Sequence, residues 1–158
     1  MKRCTVFLWA LSAIASVALA QSPPACPWLT LGTAEKALGG AATAAVQQSS
    51  PLEGSCRFTL KANPNSVLQI TVGKAQKQAC SDAGVPLVGL GNEAQQCVQK
   101  SGQGRPMDVI EGRIRDLNYV IAMTQLNSPS HPSPPRTDPI PTVPAIEVVA
   151  DIVAENLY

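Results

Sequence analysis

The sequence predicts an α+β fold: a single antiparallel sheet of about five strands covered by helices, in the order α-β-β-α-β-β-β-α. Three observations carry this expectation. Two short stretches alternate apolar and polar residues on either side of Asn63-Pro64-Asn65. A second set of strand-like stretches runs from Glu93 to Leu126. A helical period then returns at Ala145–Leu157, after a proline-rich interval.

Taken in order, Thr33 is placed to cap a short helix over Ala34–Leu38, with Glu35 in its first turn and Gly39-Gly40 ending it. Ala41–Ser50 is small and polar without a clear period, and reads as a loop or frayed turn. Cys56–Ala62 puts Cys56, Phe58 and Leu60 on one face and Arg57, Thr59 and Lys61 on the other, the pattern of a half-buried strand. Across the Asn-Pro-Asn turn, Val67–Val72 places Leu68, Ile70 and Val72 opposite Val67, Gln69 and Thr71, so the two form an antiparallel hairpin. Gly73–Asp82 favours a helix, stopped by Gly84, and Val85–Asn92 reads as a connecting loop. Glu93–Lys100 and Met107–Arg115 are strands, Asp116-Leu117-Asn118 is a turn, and Tyr119–Leu126 is β-branched and apolar enough for a central strand. Residues 127–144 hold seven prolines and cannot be regular structure; they read as a surface insert within one domain. In the terminal helix Ile146, Val149, Val153 and Leu157 form one stripe, and Glu147, Asp151 and Glu155 another.

The first twenty residues set the compartment. Lys2 and Arg3 precede an apolar run ending in Ala18-Leu19-Ala20, the pattern of a secretory signal peptide cleaved after Ala20. The run is short for a bilayer span. Gln21 stands where a lipid-anchored chain would carry cysteine, so the expected product is secreted or periplasmic and unanchored. Residues 21–158 then make one domain, with no further segment long and apolar enough to cross a membrane. The 158-residue chain carries a formal charge of +1 and five cysteines. Without its first twenty residues it has ten basic against eleven acidic side chains and four cysteines.

Those four, Cys26, Cys56, Cys80 and Cys97, are spaced by 30, 24 and 17 residues. In an oxidising compartment an even set is paired. Of the three connectivities, sequential pairing (Cys26 with Cys56, Cys80 with Cys97) is favoured because it ties each segment to the next strand. Each such bond contributes about 3 kcal/mol where its geometry is unstrained. No Cys-x-x-Cys is present and the single histidine, His131, sits among prolines, which argues against redox, haem or zinc chemistry.

Four elements in this order resemble a family of uncharacterised bacterial envelope proteins, many of them lipoproteins, with a domain like the α/β/α sandwich of the photosystem II PsbP protein. They are Ala25-Cys26-Pro27-Trp28-Leu29 before a helix ending Leu38-Gly39, Cys56-Arg57-Phe58 opening a strand, Gly89-Leu90-Gly91-Asn92-Glu93-Ala94 before a strand, and the helix at 145–157. The family's lipid-anchor cysteine is missing and the proline-rich insert is long for it. The resemblance implies a fold and a compartment, and no reaction.

The chemistry-bearing residues are few. Gly89–Ala94 lacks the lysine and hydroxyl of a phosphate loop and leads into a strand, so a structural turn is the expectation, with Asn92 and Glu93 placed to line a small groove. No Gly-x-Ser-x-Gly occurs, and Asp108 and Glu111 fall on opposite faces of one strand, so neither a triad nor a glycosidase pair is indicated. Arg113 and Arg115 share a face with Glu111, near Arg57 or Lys61, and could clamp an anion or form surface ion pairs. With its charge near neutrality and four aromatic residues in the exported chain, nucleic acid is not an expected partner. The reading is a non-catalytic exported domain that binds an envelope or secreted protein, with no cofactor and no metal. Asn92, Glu93, Arg113 and Arg115 are the candidate binding residues, and the proline-rich insert is a candidate recognition segment. The alternative is a small secreted hydrolase or inhibitor using the Gly89–Ala94 loop or the Arg113/Arg115 face.

Overall fold

The structure, a computed structural model, describes residues 25–75, 79–80, 84–102, 104–124 and 145–158. Its elements are α1 (Leu31–Leu38), β1 (Ala42–Gln48), β2 (Gly54–Leu60), β3 (Val67–Gly73), β4 (Val85–Pro86), β5 (Glu93–Lys100), β6 (Pro106–Ile114), β7 (Leu117–Thr124) and α2 (Ala145–Glu155). All seven strands form one antiparallel sheet in the order β1-β2-β3-β7-β6-β5-β4.

This corrects the expected fold class. The sheet has seven strands rather than about five, and the described residues form two short helices rather than three. Both helices pack on the same face, α1 over β1, β2 and β3, and α2 over β6 and β7, so the described residues do not form an α/β/α sandwich. Ala41–Ser50, expected as a loop, contains β1, an edge strand whose Ala42–Gln48 pair residue for residue with Leu60–Gly54. The helix expected over Gly73–Asp82 is not formed where the chain is described. Gly73 closes β3, Lys74 and Ala75 make a turn, and Ala79 and Cys80 are non-helical, while 76–78 and 81–82 lie outside the described residues. Val85–Asn92 is not wholly loop, because Val85 and Pro86 pair with Gln96 and Gln95. The cap of α1 is Thr30, whose hydroxyl accepts from the Thr33 N–H. Thr33 is inside the helix and hydrogen-bonds back to Thr30. Glu35 leaves the helix to accept the Ala42 N–H at 3.1 Å.

The hairpin of β2 and β3, the β5-β6-β7 meander and the returning helix form as the periodicity predicts. Cys56, Phe58, Leu68, Ile70, Val72, Tyr119 and Ile121 face the helices and join Ile146, Val149 and Val153 of α2 in one core. Leu157 completes the stripe, and Asn156 donates from its amide to the Trp28 carbonyl, fixing the end of α2 to the start of the described chain. β7 enters the middle of the sheet between β3 and β6. The β3–β7 seam is reinforced at one end by Lys74 and Asp116, paired at 2.9 Å, and by the Asn118 amide donating to the Lys74 carbonyl. Their hydrogen bond raises the Lys74 ammonium and lowers the Asp116 carboxyl from their ordinary values. At the other end Thr124 accepts from the Val67 N–H at 2.7 Å and donates to the Asn65 carbonyl at 3.0 Å.

The cysteines are bonded as Cys26–Cys56 and Cys80–Cys97. The first ties the segment before α1 to β2. The second holds the crossover from β3 to β4 against β5, on the face opposite the helices. The signal segment 1–20 and the proline-rich insert 127–144 lie outside the described residues.

Candidate functional site

On the face away from the helices, antiparallel register places Glu93, Gln95, Cys97 and Gln99 of β5 opposite Arg113, Glu111, Val109 and Met107 of β6. Strand alternation keeps these side chains on one side, while Ile110 and Ile114 go to the core. An open cleft of about 620 Å³ forms at one end of this face. Pro86 and Leu87 border it at the sheet edge, Asn92, Glu93 and Gln95 from the β5 side, and Glu111, Arg113, Asn118 and Val120 from β6 and β7.

Glu111 is the buried acid of this face, 7% exposed. One carboxylate oxygen accepts the backbone N–H of Ala79 and, at 2.9 Å, that of Cys80; the other accepts the Gln95 amide at 2.5 Å. The Gln99 amide donates to the Ala79 carbonyl. Glu111 therefore pins the crossover strand-ward beside the Cys80–Cys97 bond, and its acceptor sites are largely spent on structure. Glu93 and Arg113, directly opposite each other, make an exposed ion pair at 3.5 Å.

The turn before β5 is built by glycine. Gly89 and Gly91 lie at φ 94° and 93°, and a Cβ on Gly91 would stand 2.8 Å from the Arg113 carbonyl oxygen, where the chain passes close to the end of β6. Leu90 between them is buried in the core, and its carbonyl accepts the Tyr119 hydroxyl at 2.7 Å. Burial pushes the Tyr119 phenol up to about 12. Asn92 is anchored by its N–H donating to the Arg113 carbonyl at 2.9 Å. The structural turn expected here is thus the one found, and it sets Asn92 and Glu93 at the cleft.

Of the four residues expected to bind, Asn92, Glu93 and Arg113 border this cleft and Arg115 does not. β6 ends at Ile114, and Arg115, at φ 55°, forms the two-residue turn with Asp116 before Leu117 pairs back to Ile114. The turn expected at 116–118 begins one residue earlier, and Arg115 leaves the face that Arg113 occupies. Arg57 is also separate: it pairs with Gln69, with β3 and β7 between its strand and β6, and lines a different hollow with Arg105. Gln95 and Asn118 belong to the site without any motif to announce them; only the register, once known, sets Gln95 against Glu111 and Asn118 against Arg113.

Among the described residues no cluster of histidine, cysteine or carboxylate side chains could hold a metal ion, and no helix is long and apolar enough to cross a membrane. No family model, curated protein or solved structure matches the chain.

Proposed function

We propose that this chain is an exported, non-catalytic domain that binds a segment of an envelope or secreted protein in the cleft beside β4 and β5. Its two disulfides support an oxidising compartment. The observation that carries the binding reading is the way the cleft's charges are used. Glu111 is held by three donors, which suits a structural carboxylate better than a proton carrier. Glu93 and Arg113 neutralise each other at the rim, and Asn92 and Asn118 add neutral amide groups. Pro86 and Val120 supply apolar surface beside these polar groups, the mixture that recognises a polypeptide.

A photo-reactive side chain at Asn92, in cells that export the protein, tests this reading. The expected result is one discrete cross-linked partner, absent when the same group replaces Val148 on the outer face of α2. Arg113→Glu places two carboxylates together at the rim and weakens the cross-linked complex roughly tenfold or more, as loss of a charged contact does. Retention of the cross-link by a chain lacking residues 128–141 assigns recognition to the cleft rather than to the proline-rich segment. A partner captured equally from Val148, or unaffected by Arg113→Glu, overturns the reading. So does turnover of a peptide or ester substrate abolished by Glu93→Gln.

A further inference from the structure

The two edges of the sheet are treated differently. At one, β4 is two residues long, contains Pro86, and leaves β5 to end in Lys100, all of which discourage addition of another strand. At the other, β1 runs for seven residues, Ala-Thr-Ala-Ala-Val-Gln-Gln, with no charge, no proline and no interruption of register. Thr43, Ala44, Ala45, Gln47 and Gln48 are exposed.

The outward backbone groups of β1 follow from its bonds to β2. The Lys61 N–H donates to the Ala41 carbonyl, and the Ser49 N–H donates to the Glu53 carbonyl. Odd-numbered residues of β1 therefore bond inward to β2, and residues 42, 44, 46 and 48 point their N–H and C=O groups outward. The Ala42 N–H is already taken by Glu35. Among the described residues, Ala44, Val46 and Gln48 remain as an open ladder.

We infer that this edge joins two copies of the chain, β1 against β1 of the partner, about a two-fold axis at Ala45. In that register Ala44 exchanges backbone bonds with the partner's Val46, and Val46 with the partner's Ala44. Ala45 meets the partner's Ala45 at the close, non-hydrogen-bonded position, where a small side chain fits. Thr43 lies across from the partner's Gln47. No charge faces a like charge within the paired strands, and each α1 lies at the opposite end of the junction from the other. A strand whose outward groups and side chains match their own copy under reversal favours this occupant over an unrelated peptide.

The test is the oligomeric state of the chain recovered from an oxidising export pathway, measured by light scattering and sedimentation over a concentration series. The expected result is a concentration-dependent dimer. Ala45→Glu sets two carboxylates face to face at the axis while facing Arg57 within its own chain, so it shifts the dimer dissociation constant upward by tenfold or more without unfolding the monomer. Far-ultraviolet circular dichroism checks that the variant is folded. Ala45→Cys gives a second readout, a disulfide-linked dimer on mild oxidation, since facing residues in this register fall within bonding reach. A wild-type chain that stays monomeric across the series overturns the inference. So does a dimer that is indifferent to Ala45→Glu while Ala45→Cys does not cross-link. A monomer that instead takes up an added strand-forming peptide overturns it in favour of a foreign partner.

Discussion

Gly112 leaves the space that the Tyr119 ring occupies. The two residues are opposite each other in β6 and β7, and a Cβ on Gly112 would lie 2.5 Å from the Tyr119 hydroxyl oxygen and 2.8 Å from the Glu93 carbonyl oxygen. One neighbour is backbone and the other a ring fixed by its bond to Leu90, so neither gives way readily. Gly112→Ala is expected to cost about 1–3 kcal/mol through overpacking, read from the midpoint of denaturant unfolding. A midpoint unchanged from wild type would show that the ring can move aside. Gly112 is one position from Arg113, so the same substitution disturbs the cleft from below. At this scale the sequence is legible in part. Alternation puts Glu111 and Arg113 on one face, as found, because strand parity is a property of the backbone. Arg115 departs because the two-residue turn ends that parity at Ile114, and turn length is set by pairing with Leu117, which local pattern does not reveal.

Among the elements, the crossover from β3 to β4 depends most on a single side chain. Glu111→Ala removes the acceptor of two backbone N–H groups, Ala79 and Cys80, leaving them unpaired beside the sheet. The Cys80–Cys97 bond keeps the crossover attached, so the effect is local: amide exchange at Ala79 and Cys80 is expected to quicken tenfold or more, with the core strands unchanged. Unaltered protection at those two amides would assign the anchoring to the disulfide alone. The same segment shows why a helix is expected over Gly73–Asp82 and not found in its described part. Its Lys, Ala and Gln residues favour helix locally, but Glu111, Gln99 and Cys97 bind the chain where it crosses the sheet. β1 is missed for the opposite reason. It is exposed along most of its length and packs chiefly through Ala42 and Val46, so it has no need of the apolar alternation that identifies β2 and β3.

In the whole molecule, the core's one buried phenol links stability to pH. The folded Tyr119 holds its proton to about 12, against about 10 when unfolded, so its contribution is full below pH 10 and is lost as pH rises from 10 to 12. The full loss, reached once the pH has passed both values, is on the order of 3 kcal/mol. Thermal midpoints of the wild type are expected to fall steeply there, and those of Tyr119→Phe to start lower, for want of the bond to Leu90, and to fall less. Parallel curves would place the alkaline sensitivity elsewhere. The class of fold is legible only to its antiparallel strands and packed helices. The number of strands and, among the described residues, the lack of a helix on the second face depend on β1 and on the crossover, which are held by neighbours distant in sequence. The β3–β7 seam divides the molecule in a further sense. Cys26–Cys56 lies wholly within the chain up to β3, and Cys80–Cys97 wholly within the chain from the crossover onward, so neither disulfide spans the seam and only the peptide backbone joins its two sides. Each half can be oxidised to its native pair before the other arrives, and the joining of the halves is then a reversible docking step governed by the core and the β3–β7 ladder. Oxidation protects the parts, while the union of the parts stays under equilibrium control.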